Sequence, residues 1–179
     1  MNIAIVGATG NVGRKLIEVL EKKNFPVNEA YLVASPNSAG KKIHFLGKEH
    51  TVINLEEFDF SKVKIAFFAA GSAIAEKWAP IAAEKTIVID NSKFFRKDSE
   101  IPLIVPEVNS KELPKFKNKN IIANANCSVI PIVVALKPLH DLYNVKRIVA
   151  STYQSVSGAG KAGMDELISQ TKEVLENKN

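Results

Sequence analysis

The run "NIAIVGATGNVGRKL" at residues 2–15 constrains this chain more than any other stretch. Ile3, Ala4, Ile5 and Val6 make a short apolar run, rich in β-branched residues, that suits a strand buried on both faces of a parallel sheet. Gly7, Gly10 and Gly13 follow at once, and the helix-forming stretch "NVGRKLIEVLEKKN" starts among them. Glycines at that turn let the backbone fold tightly and approach a pyrophosphate, and the helix start offers N–H groups and the positive end of a dipole. A βα turn that binds nothing uses the same glycines, so the motif alone does not decide function.

The pattern after this unit repeats its logic. Val12, Leu16, Val19 and Leu20 are expected to be the apolar stripe of the first helix. "EAYLVAS" reads as a second strand, "GKKIHFLGKEHTVINL" as a hairpin turning at Gly47, and "KIAFFAA" as a strand running into Gly71. Residues 72–84 are alanine-rich and helical, with Pro80 expected to kink or divide the helix. "TIVIDNS" is another strand, Phe94 to Pro114 reads as a loop with a short strand at Leu103–Val105, and "NIIA" at 120–123 is a strand followed by a helix. "KRIVASTYQS" alternates as a strand of about eight residues. The last helix carries Met164, Leu167, Ile168 and Leu175 on one stripe and ends in polar "ENKN". Strands alternating with helices predict an α/β fold, a Rossmann-type doubly wound parallel sheet. Residues 128–179 then add only the first strand and helix of a second, incomplete α+β domain, with an exposed apolar surface expected over 146–177.

Composition removes several functional classes. The 179 residues are 46% hydrophobic and 24% charged, an ordinary globular balance. No apolar run reaches the roughly 20 residues of a membrane span, and "MNIAIVGATG" lacks the basic and apolar regions of a signal peptide. One cysteine makes no intrachain disulfide, which fits a cytoplasmic location. The net charge is +5, densest at "KFKNK" (115–119), but no nucleic-acid recognition motif accompanies it, and a solvated loop is the simpler reading.

Two further stretches bear on chemistry. NAD enzymes commonly place an acid after the second strand for the adenosine ribose. Here "VASPNSAGKK" has no acid; it offers Ser35, Asn37 and Ser38, then Lys41 and Lys42. Such a loop suits a 2′-phosphate and favours NADP over NAD, although an ordinary Ser/Asn turn has the same composition. The lone Cys127 lies between a strand and a helix expected to start near Ser128, with Pro131 tolerated in its first turn. A helix start favours the thiolate, the reactive form of cysteine, and Asn126 beside it can donate to an oxyanion. By position alone, an inert buried cysteine is equally compatible.

Seven segments, in order, carry a resemblance: "VGATGNVG", "ASPNSAGKK", "FFAAGS", "IDNSKFFR", "PLIVPEVN", "NANCSVI" and "STYQSVSGAGKAG". Together they resemble the aspartate-β-semialdehyde dehydrogenase family, enzymes of amino-acid biosynthesis leading to lysine, threonine and methionine. The resemblance implies that Cys127 is the nucleophile and forms an acyl-thioester between aspartyl phosphate and aspartate semialdehyde. It implies that Gln154 contacts substrate and that Arg96, with Asn91 nearby, binds the phosphoryl group. It implies that Thr9, Gly10, Asn11 and Val12 hold the pyrophosphate and Asn37 and Ser38 the 2′-phosphate. Ala70, Gly71 and Ser72 would line the cofactor, with Ser157 and Gly158 near the nicotinamide. Asn37 stands where many members carry arginine, and Lys93 and Phe94 replace smaller residues in the substrate loop. Members are homodimers or homotetramers and bind neither nucleic acid nor membrane.

A thiol nucleophile also needs a base. His44 and His50 flank the expected Gly47 turn, and His140 lies about 20 Å along the helix from Cys127. In the family the catalytic histidine and a substrate-binding arginine lie in the second half of a chain nearly twice this length. The chain is therefore expected to be an N-terminal fragment, a dinucleotide-binding domain at 1–127 and the start of a substrate and dimerisation domain at 128–179, without turnover of its own. N-acetyl-γ-glutamyl-phosphate reductase is the nearest enzymatic alternative, and a non-catalytic dinucleotide-binding fragment is the other.

Overall fold

Alternate residues of a strand face opposite sides of its sheet, and the first strand uses both sides for burial. In the computed structural model, which describes residues 1–176, β1 (Ile3–Val6) is fully buried. Ile3 and Ile5 pack with Ile17 and Leu20 of α1 (Asn11–Lys22). Ala4 and Val6 pack on the opposite face, in a cluster that includes Ala75, Ala79, Ala82 and Ala83.

The remaining elements of the sheet unit are β2 (Ala30–Ala34), a hairpin of β3 (Lys42–Phe45) and β4 (Lys48–Thr51), β5 (Ile53–Asn54), β6 (Ile65–Phe68), α2 (Ser72–Ala83), β7 (Ile87–Asp90), β8 (Leu103–Ile104), α3 (Pro106–Asn109), β9 (Ile121–Asn124) and α4 (Val129–Tyr143). The main sheet has the order β5-β2-β1-β6-β7-β9-β8, and each pairing in it is parallel. This is the expected doubly wound α/β sheet. Strand order reverses about β1: β2 lies on one side and β6 on the other. Alanines on the inner side of α2 let that helix sit close to the sheet. On the α1 side, Ile65, Phe67, Ile87, Ile89 and Ile122 are only half-buried.

Several local expectations are corrected. The buried stripe of α1 is Gly13, Ile17 and Leu20, whereas Val12 and Val19 are 49% and 41% exposed. The helix turns this way because Gly13 packs against the Gly7 turn, which fixes its inner face. The hairpin does turn at Leu46 and Gly47, both with positive φ. It ends at Thr51, however, and Ile53–Asn54 pairs instead with β2. Pro80 does not divide α2, which runs as one helix to Ala83. Pro80 is on the exposed side, where water can serve the carbonyl that loses its helical donor. The 94–114 stretch is less irregular than expected, with a 3-10 turn at Phe94–Lys97 and helix α3 around β8.

The chain divides into two compact units, Met1–Arg147 and Ile148–Asn179. Residues 146–153, expected as a strand, form no ladder. A strand exists by hydrogen bonding to a neighbour, and among the described residues none pairs with this stretch. The second unit contains a 3-10 turn at Val156–Ala159 and α5 (Gly160–Glu176). Of its expected stripe, Leu167, Ile168 and Leu175 are 51%, 55% and 60% exposed. Residues 177–179 of the polar ending lie outside the described residues.

One buried polar atom is mismatched with its surroundings. Thr86 is 6% exposed, and among the described residues its hydroxyl oxygen has no hydrogen-bond partner. Valine has the same shape without the hydroxyl. Thr86→Val is therefore expected to stabilise the chain by about 1 kcal/mol, read from the urea midpoint. A midpoint that falls would contradict this.

Candidate active site

Parallel strands deliver all their carboxyl-terminal loops to one edge of the sheet. Five of those loops, after β1, β2, β6, β7 and β9, hold most of the residues singled out above. The loop after β1 is built on close approach. Gly7 has φ of 87°, and a Cβ there would lie 2.7 Å from the Ala69 carbonyl oxygen. A Cβ on Gly13 would lie 2.2 Å from the Gly7 carbonyl oxygen. The Gly10 N–H donates to the Gly7 carbonyl at 3.0 Å, closing the turn. Asn11 and Val12 begin α1 and are exposed at the edge. This bare-backbone cradle at a helix start, beside the point where strand order reverses, fits a dinucleotide pyrophosphate.

The neighbouring loops complete the cradle. After β2, the 3-10 turn Pro36–Ser38 is tied to the glycine loop, because Thr9 Oγ1 donates to Ser38 Oγ at 3.4 Å. Ser35 and Asn37 are exposed beside it. Lys42 is engaged by Glu49 at 2.6 Å. Lys41 is exposed and makes no ion pair among the described residues. After β6, Ala69 N–H continues the ladder to the Val6 carbonyl at 2.8 Å. Ala70 then leads to Gly71, whose φ of 85° caps α2, and to Ser72 at the first position of that helix.

The loops after β7 and β9 form a second cluster. Asp90 ends β7 completely buried. Its carboxylate accepts the Ser92 N–H at 3.1 Å and the Ser92 hydroxyl at 2.6 Å, and Ser92 Oγ accepts the Phe94 N–H at 3.1 Å. Arg96 is half-buried. Its Nε donates to the Asn124 carbonyl at 2.9 Å and an Nη to the Asn91 carbonyl at 3.0 Å. Asn124 Nδ2 donates to Asn91 Oδ1 at 2.7 Å. Both acceptors on Arg96 are neutral carbonyls, and no carboxylate forms an ion pair with it among the described residues. Its charge therefore remains to serve an anion.

Cys127 follows β9 by three residues and is exposed, one residue before Ser128, the N-cap of α4. Asn126 organises this helix start. Its Oδ1 accepts the Ser128 N–H at 2.9 Å and the Ser128 hydroxyl at 2.6 Å. Its carbonyl accepts the Val129 and Ile130 N–H groups at 3.0 and 3.1 Å. The Cys127 Sγ lies 4.0 Å from the same Oδ1. The acceptor end of the Asn126 amide is thus committed to the cap, and the donor end is the one available to an oxyanion. Gln154, Ser157 and Gly158 belong to the second unit. There Thr152 Oγ1 donates to Gln154 Oε1 at 3.2 Å, and the Ser155 and Ser157 hydroxyls are 2.5 Å apart.

The three histidines lie on other parts of the first unit. His140 is in the last turn of α4, roughly 16 Å along the helix from Val129. His44 and His50 are on the hairpin, which packs by α1 and β2, across β1 from β9. His50 Nε2 lies 3.1 Å from the Phe45 carbonyl oxygen. Among the described residues no group of His, Cys, Asp and Glu is arranged to hold a metal ion, and no helix is long and apolar enough to cross a membrane. Two of the three "KFKNK" lysines are paired with acids, Lys115 with Glu112 and Lys119 with Glu100.

Sequence reasoning missed Asp90, Ser92 and Asn124. The available signal was an acid closing an apolar strand, since a buried carboxylate needs local donors. Burial pushes the Asp90 carboxyl above its ordinary value of 3.8, and the Ser92 hydrogen bonds and the Arg96 charge pull the other way. A carboxyl raised on folding contributes stability that is complete below 3.8 and is lost as pH rises through the folded value. An asparagine side chain at this position would not titrate. Asp90→Asn should therefore gain stability relative to wild type as pH rises from about 4 to about 7. Urea midpoints of both proteins across that range check this, and a gap that does not change with pH contradicts it.

Two family models match the chain. The family model "Semialdehyde dehydrogenase, NAD binding domain" matches residues 2–116, and "Semialdehyde dehydrogenase, dimerisation domain" matches residues 136–179. Aspartate-semialdehyde dehydrogenase 2 of Vibrio cholerae is 56% identical over 175 residues, 97% of this chain and 52% of that protein. The Aquifex aeolicus aspartate-semialdehyde dehydrogenase is 52% identical over 178 residues, 98% of this chain and 52% of that one. The crystal structure of aspartate semialdehyde dehydrogenase II of Vibrio cholerae complexed with ASA superposes with a TM-score of 0.93 at 55% identity, covering 98% of this chain and 52% of that one. The Candida albicans enzyme solved with NADP gives a TM-score of 0.61 at 26% identity, covering 80% and 48%. The chain spans about half the length of the curated relatives it matches.

Proposed function

Because this chain belongs to the semialdehyde dehydrogenase family, we propose that it supplies the dinucleotide site and the nucleophile of an NADP-dependent aspartate-semialdehyde dehydrogenase. The activity is the reversible reductive dephosphorylation of aspartyl 4-phosphate to aspartate 4-semialdehyde, in cytoplasmic biosynthesis of lysine, threonine and methionine. One observation supports this best: the glycine cradle after β1 and Cys127 after β9 share an edge of one parallel sheet, three strand spacings or roughly 14 Å apart. A dinucleotide across that edge would have its adenosine toward β2 and its nicotinamide toward the thiol.

The roles follow from the family resemblance. Gly7, Thr9, Gly10, Asn11, Val12 and Gly13 hold the pyrophosphate. Ser35, Asn37, Ser38 and Lys41 take the ribose end, and the absence of an acid there favours NADP over NAD. Ala70, Gly71 and Ser72 line the cofactor, with Ser157 and Gly158 at its nicotinamide end. A dinucleotide held by these residues would supply or accept the hydride. The Cys127 thiolate attacks the carbonyl carbon of the acyl phosphate, an S–C bond forms, and the C–O bond to phosphate breaks. Arg96, with Asn91 beside it, receives the departing phosphate. Asn126 donates to the carbonyl oxygen as it gains charge, Gln154 positions the thioester, and the thiolate leaves when the aldehyde forms. We assign residues 1–127 to the dinucleotide domain and 128–179 to the start of the substrate and dimerisation domain, through which the whole enzyme forms homodimers or homotetramers.

The chain alone is expected to bind NADPH more tightly than NADH and to show no turnover, since its three histidines lie on the hairpin and in the last turn of α4. Joined to the second half of the Vibrio cholerae relative, it is expected to oxidise aspartate semialdehyde with phosphate and NADP, and not N-acetylglutamate semialdehyde. Absorbance at the reduced-nicotinamide band and a coenzyme titration read both. Turnover by the chain alone, or preference for the acetylated substrate, overturns the reading.

A further inference from the structure

Arg96 is a residue on a short 3-10 turn, and a long side chain on such a turn does not aim itself. Its direction is set by two carbonyls, those of Asn91, in the loop after β7, and Asn124, the last residue of β9. The loop and the strand end are joined side chain to side chain by the 2.7 Å bond from Asn124 Nδ2 to Asn91 Oδ1. The Asn91 N–H is in turn fixed to the Phe68 carbonyl of β6 at 3.0 Å. Asn124 therefore acts twice: its carbonyl takes the Arg96 Nε, and its amide holds in register the loop bearing the other acceptor. It also stands three residues before Cys127, with buried Ala125 between. We infer that Asn124 is a positioning residue, clamping the loop after β7 to the end of β9 so that the Arg96 guanidinium faces its anion at a set distance from the Cys127 segment. The inference rests on the reading of Arg96 as the phosphate-binding group.

Two of the five guanidinium N–H donors point into carbonyls, which leaves the others for the anion. Loss of the Asn124 amide frees the Asn91 loop and with it one of the two guides. Asn91→Ala breaks the same bond from the other side, so the two substitutions together should cost little more than either alone.

The chain has three arginines, Arg14, Arg96 and Arg147, so its arginine Nε–H resonances can be resolved individually by NMR. In wild type the Arg96 Nε–H is expected to exchange slowly with solvent and to shift on titration with inorganic phosphate. Asn124→Ala should speed that exchange and weaken phosphate binding about tenfold, with Asn91→Ala and the double variant within about twofold of it. Arg96→Ala should abolish the phosphate response. An Arg96 Nε–H that exchanges at the wild-type rate in Asn124→Ala overturns the inference, whether or not phosphate binds. Phosphate binding indifferent to Arg96→Ala overturns the anion reading instead. A merely structural role would lower the melting temperature while leaving phosphate affinity in the cold unchanged, and that result also counts against the clamp. Should Asn124→Ala fail to fold, Asn91→Ala decides by the same two readouts.

Discussion

Gly13→Ala is expected to remove dinucleotide binding and to destabilise the fold by about 3 kcal/mol or more. Helix propensity alone argues the reverse, since alanine is favoured over glycine inside a helix by about 1 kcal/mol. Geometry decides between them. The new Cβ would sit 2.2 Å from the Gly7 carbonyl oxygen and 2.8 Å from the Ala8 Cα, both backbone atoms that no side-chain rotation can clear. The glycine turn has to open or α1 has to lift, and either movement spoils the cradle and the packing of Ile17 and Leu20 beneath it. NADPH affinity should fall roughly 100-fold, about 2.8 kcal/mol, measured by fluorescence titration beside urea unfolding. Gly10→Ala is the internal contrast, because its Cβ would meet only the Gly7 oxygen at 3.4 Å; its stability loss should be much smaller. Wild-type affinity and midpoint in Gly13→Ala would refute the close-packed reading of the loop.

Cys127→Ser should abolish catalysis in the chain joined to a relative's second half, by about 10⁴-fold in kcat, while NADPH affinity stays within about twofold. A hydroxyl stays protonated where a thiol can ionise, and the helix start that helps a thiolate gives a serine little. The substitution keeps the size and the setting, one residue before the N-cap of α4. It therefore separates chemistry from folding. Mass spectrometry should find the acyl adduct on Cys127 in the parent and none in the variant. Residual turnover within tenfold of the parent would mean that the thiol is not the nucleophile.

Much of this was legible along the chain. The strand–glycine–helix unit, the alternation of elements to β7, the Gly47 hairpin and the cysteine before a helix are all local patterns. The phase of α1 was only partly legible: Leu16 and Leu20 face the core as expected, but Val12 and Val19 are as apolar as Ile17, and contact with the Gly7 turn selected Gly13 and Ile17 instead. The alternating 146–153 stretch read as a strand from its own residues, but pairing belongs to a neighbour, and none of the described residues provides one. Asn124 escaped notice because its meaning lies in Asn91, 33 residues earlier.

By itself, then, the sequence determined the βα unit, the chemical character of each loop and the position of Cys127 at a helix start. These depend on residues within a turn or two of each other, whose sterics and hydrogen bonding act wherever the chain goes. Tertiary structure alone decided that the loops after β1, β6, β7 and β9 share one edge. It alone turned the Arg96 guanidinium onto two carbonyls 33 residues apart in the chain, one in the loop after β7 and one at the end of β9. Strand order is a property of the assembled sheet, set by which faces are buried together, and no short stretch of residues carries it.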